Sequence, residues 1–415
     1  MNLDFRIFRI SQAMNHLACF VVGASLCAVG KADDHSWVLG PFERLEHENP
    51  VLVTQQGSTF NCPLQRRPIR WEAKDVFNPA AVVRNDQVHL LYRAEDHDGN
   101  LAGTSRVGLA LSEDGISFPS SGRRPVPVLY PDTDGYKDLE WQGGIEDPRV
   151  VESPEGMYVM TYTAYNGVAR LFVATSHDLL TWEKRGPAFS AAHGGAFADA
   201  WTKSGSIVCR VVNERLVAAK INGKFWMYWG ENSIYVAASE DLVSWTPLLT
   251  DHGPEYRGRP DQPSSTLKGL RPQILISPRR GSFDSSLVEP GPPAVLTSEG
   301  IVFIYNSKNR WCMSGRDGRC DNGENDPTVP PGTYSAGQVR SSQSSSRLPS
   351  LSTSQARHHP THVDTFVGLF SCALVCPPSN TSQARHRLPQ VLLDATDPTK
   401  VLARTSKSFM KPKMK

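Results

Sequence analysis

The sequence predicts an all-β chain built as a β-propeller, and three observations carry that expectation. A short motif recurs at near-constant spacing: "SEDGISF" at 112–118, "SHDLLTW" at 176–182 and "SEDLVSW" at 239–245, 64 and then 63 residues apart. Each motif follows a strand-like run, "RVGLAL", "RLFVAT" and "SIYVAA", itself preceded by an aromatic-rich strand ending in a polar loop. Almost nothing between them has helical periodicity. Units of about 65 residues, each a small antiparallel sheet, suit radial repetition. A pair of β-sandwiches is the alternative, but it leaves the recurring Ser-x-Asp-aromatic register without a cause.

The elements follow in order. Arg6 and Arg9 precede the apolar run "LACFVVGASLCAVG" at 17–30, and small residues follow near Gly30 and Ala32. A run of that length is short for a membrane span and reads as a signal peptide over 1–32, with an uncleaved signal anchor as the alternative. The chain is therefore expected to be secreted, with no membrane association once the signal is removed. Residues 40–339 form the propeller. Its aromatic strands are "VHLLYRAEDHDG" at 88–99, "MYVMTYTAYNG" at 157–167, "KFWMYWGEN" at 224–232 and "IVFIYNSKN" at 301–309. Together with N-terminal material they make four or five blades. In each turn the Asp is placed to accept from its own following backbone, and the closing aromatic packs between sheets.

In a propeller the polar ends of such strands converge on a central pocket. They supply Arg93, Glu95, Asp96, Tyr165, Asn166, Glu231, Asn232, Asn306 and Lys308. "GGIEDPRVV" at 143–151 opens the second unit, which makes Asp147 and Arg149 pocket residues rather than parts of an isolated salt-bridged turn. Trp141, Trp226, Trp229 and Tyr165 are candidates to stack on sugar faces.

Beyond Val339 the pattern breaks. Residues 340–389 are rich in Ser, Arg, His and Pro, and "TSQARH" occurs in them twice, at 353–358 and 381–386. Such a composition does not build a core. The strand pattern resumes over 390–415, and excising 340–391 joins "AGQV" to "LLDATDP". The segment reads as an insertion of translated intronic sequence, and the chain stops before the last blade is complete, leaving open sheet edges.

Composition narrows the function. A net charge of +2 over 415 residues argues against an extended nucleic-acid surface. The eight cysteines show no zinc-ligand spacing, and Cys312 with Cys320 suits a short loop disulfide in an oxidising compartment. No metal or organic cofactor is expected, and the oligomeric state cannot be read.

"FNPAAVV" at 77–83, "YRAEDHDG" at 92–99, "SRVGLALSEDG" at 105–115, "GGIEDPRVV", "TYTAYNG" at 161–167 and "EPGPPAVLTSEGIVFIYN" at 289–306 together resemble glycoside hydrolase family 130. The resemblance implies a five-bladed propeller, here with an incomplete C-terminal blade, acting on a β-mannoside oligosaccharide. It implies Asp147 as the acid, protonating the glycosidic oxygen directly or through a sugar hydroxyl. Asn78, Arg93 and Asp96 would hold the terminal mannose, Lys203 would line the site, and Arg149 would lie on the phosphate side in phosphorylases. Phosphorylase-type members usually carry a histidine where this chain has Asn306. Glu231 and Glu289 stand at inner positions, and either suits the base of an inverting hydrolase. The sequence thus points to hydrolysis of β-mannosides. The alternatives are phosphorolysis to mannose 1-phosphate and a non-catalytic carbohydrate-binding propeller.

Overall fold

A computed structural model describes residues 48–405 apart from 102, 257–266, 268, 314–317, 321 and 336–389. The expected signal peptide, the 340–389 insertion and the last ten residues lie outside the described residues. A small hairpin, β1 (Phe60–Cys62) with β2 (Arg67–Ile69), precedes four successive antiparallel sheets. The first holds β3 (Asp75–Arg84), β4 (Gln87–Glu95) and β5 (Ser105–Ser112), extended by bridges to Arg123 and Leu129. The second runs β6 (Gly144–Glu152), β7 (Tyr158–Tyr165), β8 (Ala169–Ser176) and β9 (Glu183–Pro187). The third is built from β10 (Ser206–Val212), β11 (Arg215–Ala218), β12 (Lys220–Ile221), β13 (Lys224–Trp229), β14 (Ile234–Ser239), β15 (Trp245–Pro247) and β16 (Ile274–Ile276). The fourth contains β17 (Leu287–Pro290), β18 (Ala294–Leu296), β19 (Ile301–Lys308), β20 (Tyr334–Ser335), β21 (Gln390–Leu393) and β22 (Val401–Arg404).

Neighbouring blades touch one another through parallel bridges between β5 and β6, β11 and β6, and β10 and β18. These join Ser105 to Gly144, Val217 to Glu152, and Val208 and Cys209 to Ala294 and Val295. The architecture is the expected all-β propeller. Helix is confined, among the described residues, to single turns such as Lys137–Glu140, and none is long and apolar enough to cross a membrane.

The recurring motif builds one turn three times. Ser112, Ser176 and Ser239 each accept from the two following turn amides, while Asp114, Asp178 and Asp241 each accept from two amides further on. The residue after the Asp has positive φ every time: Gly115 at 72°, Leu179 at 67° and Leu242 at 66°. Two of the closing aromatics, Trp182 and Trp245, then donate their indole N–H to Leu179 and Leu242. Trp245 is 1% exposed and wedges into the cluster between the second and third blades with Phe189 and Trp229.

The fourth blade shows where the chain is interrupted. Ser335 pairs with Ser307 on β19, and Gln390 pairs with Ile304 on the same edge. Counting back along that edge from Ser335, the residue opposite Ile304 in an unbroken strand is Gln338. Gln390 and Val391 therefore occupy the register that Gln338 and Val339 would fill. The strand that begins at Gln390 is in phase with the one that ends at Ser335. The resumed segment is also tied down by side chains. Arg404 meets Asp284 at 2.6 Å and Tyr305 Oη at 3.0 Å, and Tyr228 Oη donates to Pro398 O.

Candidate active site

Two bulges create the centre of the site. On β3, Phe77 pairs with Arg93 and Ala80 with Leu91; on β6, Glu146 pairs with Thr163 and Arg149 with Thr161. Each inner strand so carries one extra residue, at Asn78-Pro79 and at Asp147-Pro148. Proline has no ladder donor to lose, and a bulge is where a strand tolerates it. Asn78 and Asp147 take φ of 44° and 51°, which turns both side chains inward. They meet there, Asn78 Nδ2 donating to Asp147 Oδ1 at 2.8 Å. Ahead of β10, Ser204 takes φ 57° before Gly205, and on β17 Glu289 stands before Pro290-Gly291.

Arg93 organises the anionic side of this centre. Its Nη1 donates to Asp147 at 2.9 Å, its Nη2 to Glu95 at 2.5 Å and Glu146 at 3.0 Å, and its Nε to Ser105 Oγ at 2.9 Å. The guanidinium lies 4.4 Å from the Phe77 ring centre. Three carboxylates on one buried cation hold Arg93 firmly charged, against the cost of its burial. Asp147 is itself 6% exposed, yet Arg93, Lys203, Arg149 and Asn78 overcome burial and hold its carboxyl well below the usual carboxylate range. Its neighbour Glu146 moves the opposite way, pushed up by burial and by the Asp147 charge.

Lys203 joins this half to the other. Its Nζ lies 3.8 Å from Asp147 Oδ2 and 3.9 Å from Glu289 Oε1, and those carboxylates, with Glu231, raise its pKa despite burial. Glu289 accepts a hydrogen bond from Ser204 Oγ. Burial raises the Glu289 carboxyl, and the nearby Glu231 and Asp147 charges add to this against the pull of Lys203 and Arg149. Glu231 accepts from Trp201 Nε1 at 3.1 Å, on a turn anchored by Gly230 N–H to Lys203 O. Asn306 pairs directly with Glu289 across β17 and β19, which puts both side chains on one face.

The sequence-derived set divides on inspection. Asn78, Arg93, Asp147, Lys203, Glu231 and Glu289 come together, with Asn306 beside Glu289. Tyr165 lies at the edge, its ring packed over Gly143 and edge-on to Trp201 at 6.3 Å. Arg149 differs from the expected anion-binding role. Its Nε and Nη2 donate to Gly291 O and Pro290 O at 2.6 and 2.7 Å, and Nη1 donates to Asp147 O at 3.1 Å. Its fork staples the second blade to the fourth.

Asp96 also departs from the expectation of a mannose ligand. Oδ1 accepts from the amides of Asp98, Gly99 and Thr104, Oδ2 from Arg106 at 2.7 Å, and the residue is 1% exposed. Its oxygens are saturated by the loop that they fold. Trp229 is 0% exposed among Phe189, Phe197, Tyr235 and Tyr256, a core residue rather than a sugar platform. Glu95 is among the expected pocket residues but has no role assigned by the sequence, and Glu146 and Ser204 are additions that the structure makes. Glu95 and Glu146 sit within Arg93's reach, and their signal was present in "YRAED" and "GIEDPR". Ser204 carries no sequence signal beyond its place before a glycine.

Cys312 and Cys320 form the expected disulfide. Glu324 lies close enough to complete a metal-ligand triad, but both sulfurs are bonded to each other.

Comparison with known proteins agrees with this geometry. Residues 43–313 match the family model of glycoside hydrolase family 130, described as β-1,4-mannooligosaccharide phosphorylase. A 1,2-β-oligomannan phosphorylase of Thermoanaerobacter sp. (strain X514) is 31% identical over 245 residues, covering 57% of this chain and 66% of the relative. The chain thus spans just under two thirds of that relative's length. A putative glycosidase structure from Bacteroides thetaiotaomicron VPI-5482 is 38% identical, with TM-score 0.70, covering 92% of this chain and 87% of that one. Another, described by the words "The GH130 family of mannoside phosphorylases contains glycoside hydrolases that target beta-1,2 mannosidic linkages in Candida mannan", is 36% identical with TM-score 0.69, covering 93% and 85%. With the bulged inner strands, the Arg93–Asp147 pair and a family match over most of the propeller, the chain belongs to glycoside hydrolase family 130.

Proposed function

We propose that the protein is an inverting hydrolase of β-1,2-linked mannosides. The observation that carries this reading is the state of the cations. Arg93 is matched by Asp147, Glu95 and Glu146, Lys203 lies between Asp147 and Glu289, and Arg149 donates to main-chain carbonyls. A phosphorylase must hold a dianion with donors that nothing else has claimed. Phosphate entering here would meet Glu289 and Glu231, whereas a water meets two acceptors able to orient and deprotonate it. The family includes both phosphorylases and hydrolases; the curated relative is a phosphorylase, and the similar Bacteroides structure is described as a glycosidase.

Glu289 is the better base of the two glutamates. Burial raises its carboxyl, and Ser204 and Lys203 fix its orientation. Glu231 fixes the water from the other side. On the leaving-group side, Arg93 and its neighbours hold Asp147 ionised, while Glu146 beside it more readily keeps a proton. For Asp147 to act as the acid, bound sugar hydroxyls must displace Arg93 and Asn78 from its carboxyl, which then takes up from solvent the proton it passes to the leaving oxygen.

Incubation with β-1,2-mannobiose, with and without inorganic phosphate, tests the reading. Free mannose at equal rates in both tubes is expected. Mannose 1-phosphate formed only with phosphate would replace hydrolysis by phosphorolysis.

A further inference from the structure

We propose that Trp311 forms an outer sugar-binding platform that engages a residue of the oligosaccharide distal to the bond being cleaved. The proposal rests on the mannoside reading of the site and adds a determinant of chain-length preference. Trp311 is 56% exposed, the most exposed aromatic among the large hydrophobics of the described residues. A side chain at Gly318 would lie 2.6 Å from the indole ring, and one at Gly332 3.5 Å from it, so glycine backbone packs against the ring and more than half of the residue stays exposed. An aromatic so supported loses little freedom when a pyranose C–H face stacks on it.

The loop is held in place. Cys312–Cys320 closes it beside Trp311. Asn309 fixes its base: its side-chain amide donates to Val329 O at 2.7 Å and Asp326 O at 3.1 Å, and its Oδ1 accepts from Ser285 Oγ and Asp326 N. Arg310 and Glu324 flank the base at 3.3 Å from each other, giving polar groups suited to sugar hydroxyls.

Its position ties it to the site. The loop leaves the end of β19, the strand on which Asn306 stands opposite Glu289. The loops after β4, β7 and β13, which carry or follow Arg93, Tyr165 and Glu231, open at that same end. Trp311 follows Asn306 by five residues, so their Cα atoms are at most about 18 Å apart, within reach of a short oligosaccharide. A disaccharide bound at the carboxylates has no residue to place there.

The test compares Trp311→Ala and Trp311→Phe with the unmodified full chain on β-1,2-mannobiose and β-1,2-mannotetraose. Trp311→Ala is expected to lower kcat/KM for the tetraose by about five- to tenfold, the loss of one stacking contact, through KM, and to leave the biose unchanged. Trp311→Phe should recover much of the difference. Calorimetric titration in a Glu289→Gln background reads tetraose binding without turnover and should show the same dependence on Trp311. Equal effects on both lengths, or none on either, would overturn the platform. An unmodified chain that cleaves neither length would instead sink the mannoside reading. In that case tetraose binding that does not depend on Trp311, or no binding at all, would overturn the platform too.

Discussion

At the scale of single residues, one lysine sets the working range of the site. Glu289 is pushed up by burial, and Lys203 is the largest influence holding it down. A base works only when ionised, so the acidic limb of the pH–rate profile should lie above the ordinary glutamate range. Replacing Lys203 by Met removes the restraint, and the limb should move to higher pH while kcat falls; a limb that stays in place would remove Glu289 from the role of base. Asp147 has the opposite sign. Its depressed pKa contributes stability that is present above the usual carboxylate range and lost as pH falls through its folded value.

At the scale of elements, the inner strands decide whether those residues meet. Gly144 opens β6 at φ 100°, and a Cβ there would lie 2.2 Å from Ser105 O. Gly144→Ala should push β6 from β5, breaking the bridge that positions Glu146 and Asp147. Activity should fall at least about tenfold, with a loss of roughly 1–3 kcal/mol in stability, checked by kinetics beside denaturant unfolding. The turns were legible in the sequence because Ser112, Asp114 and their repeats bond to their own neighbours, a local event with a fixed spacing. Asn78, Arg93 and Asp147 were legible through the family resemblance, and their bulges through the Asx-Pro steps only in retrospect. The saturation of Asp96 was not legible, because beyond the near amides of Asp98 and Gly99 it takes Arg106 and the Thr104 amide eight residues away. The partners of Arg149, Pro290 and Gly291, are likewise out of local reach, 141 and 142 residues distant.

At the scale of the molecule, β20 and β21 pair with one edge of β19 in a single phase, and the sequence between them, read as an insertion, is expected to be dispensable. A chain in which Ser335 continues through Gln338 directly into Val391 should fold to the same sheet with less loop-closure entropy to overcome. Each doubling of loop length costs only about 0.6 kcal/mol, so the gain in unfolding free energy should be modest and the gain in soluble yield larger. Side-by-side thermal unfolding and sedimentation of the two chains would check this, and a shortened chain that fails to fold would show the insertion to be structural. The fourth blade is also the one that carries Glu289 and receives the Arg149 fork from the second. The interrupted strand edge and the proposed water-activating group thus share one blade, and fraying of that edge should silence the proposed activity before the other blades melt. Heated samples should lose turnover several degrees below the temperature at which their sheets come apart, and recover it on cooling as long as the edge has not found a second molecule to pair with.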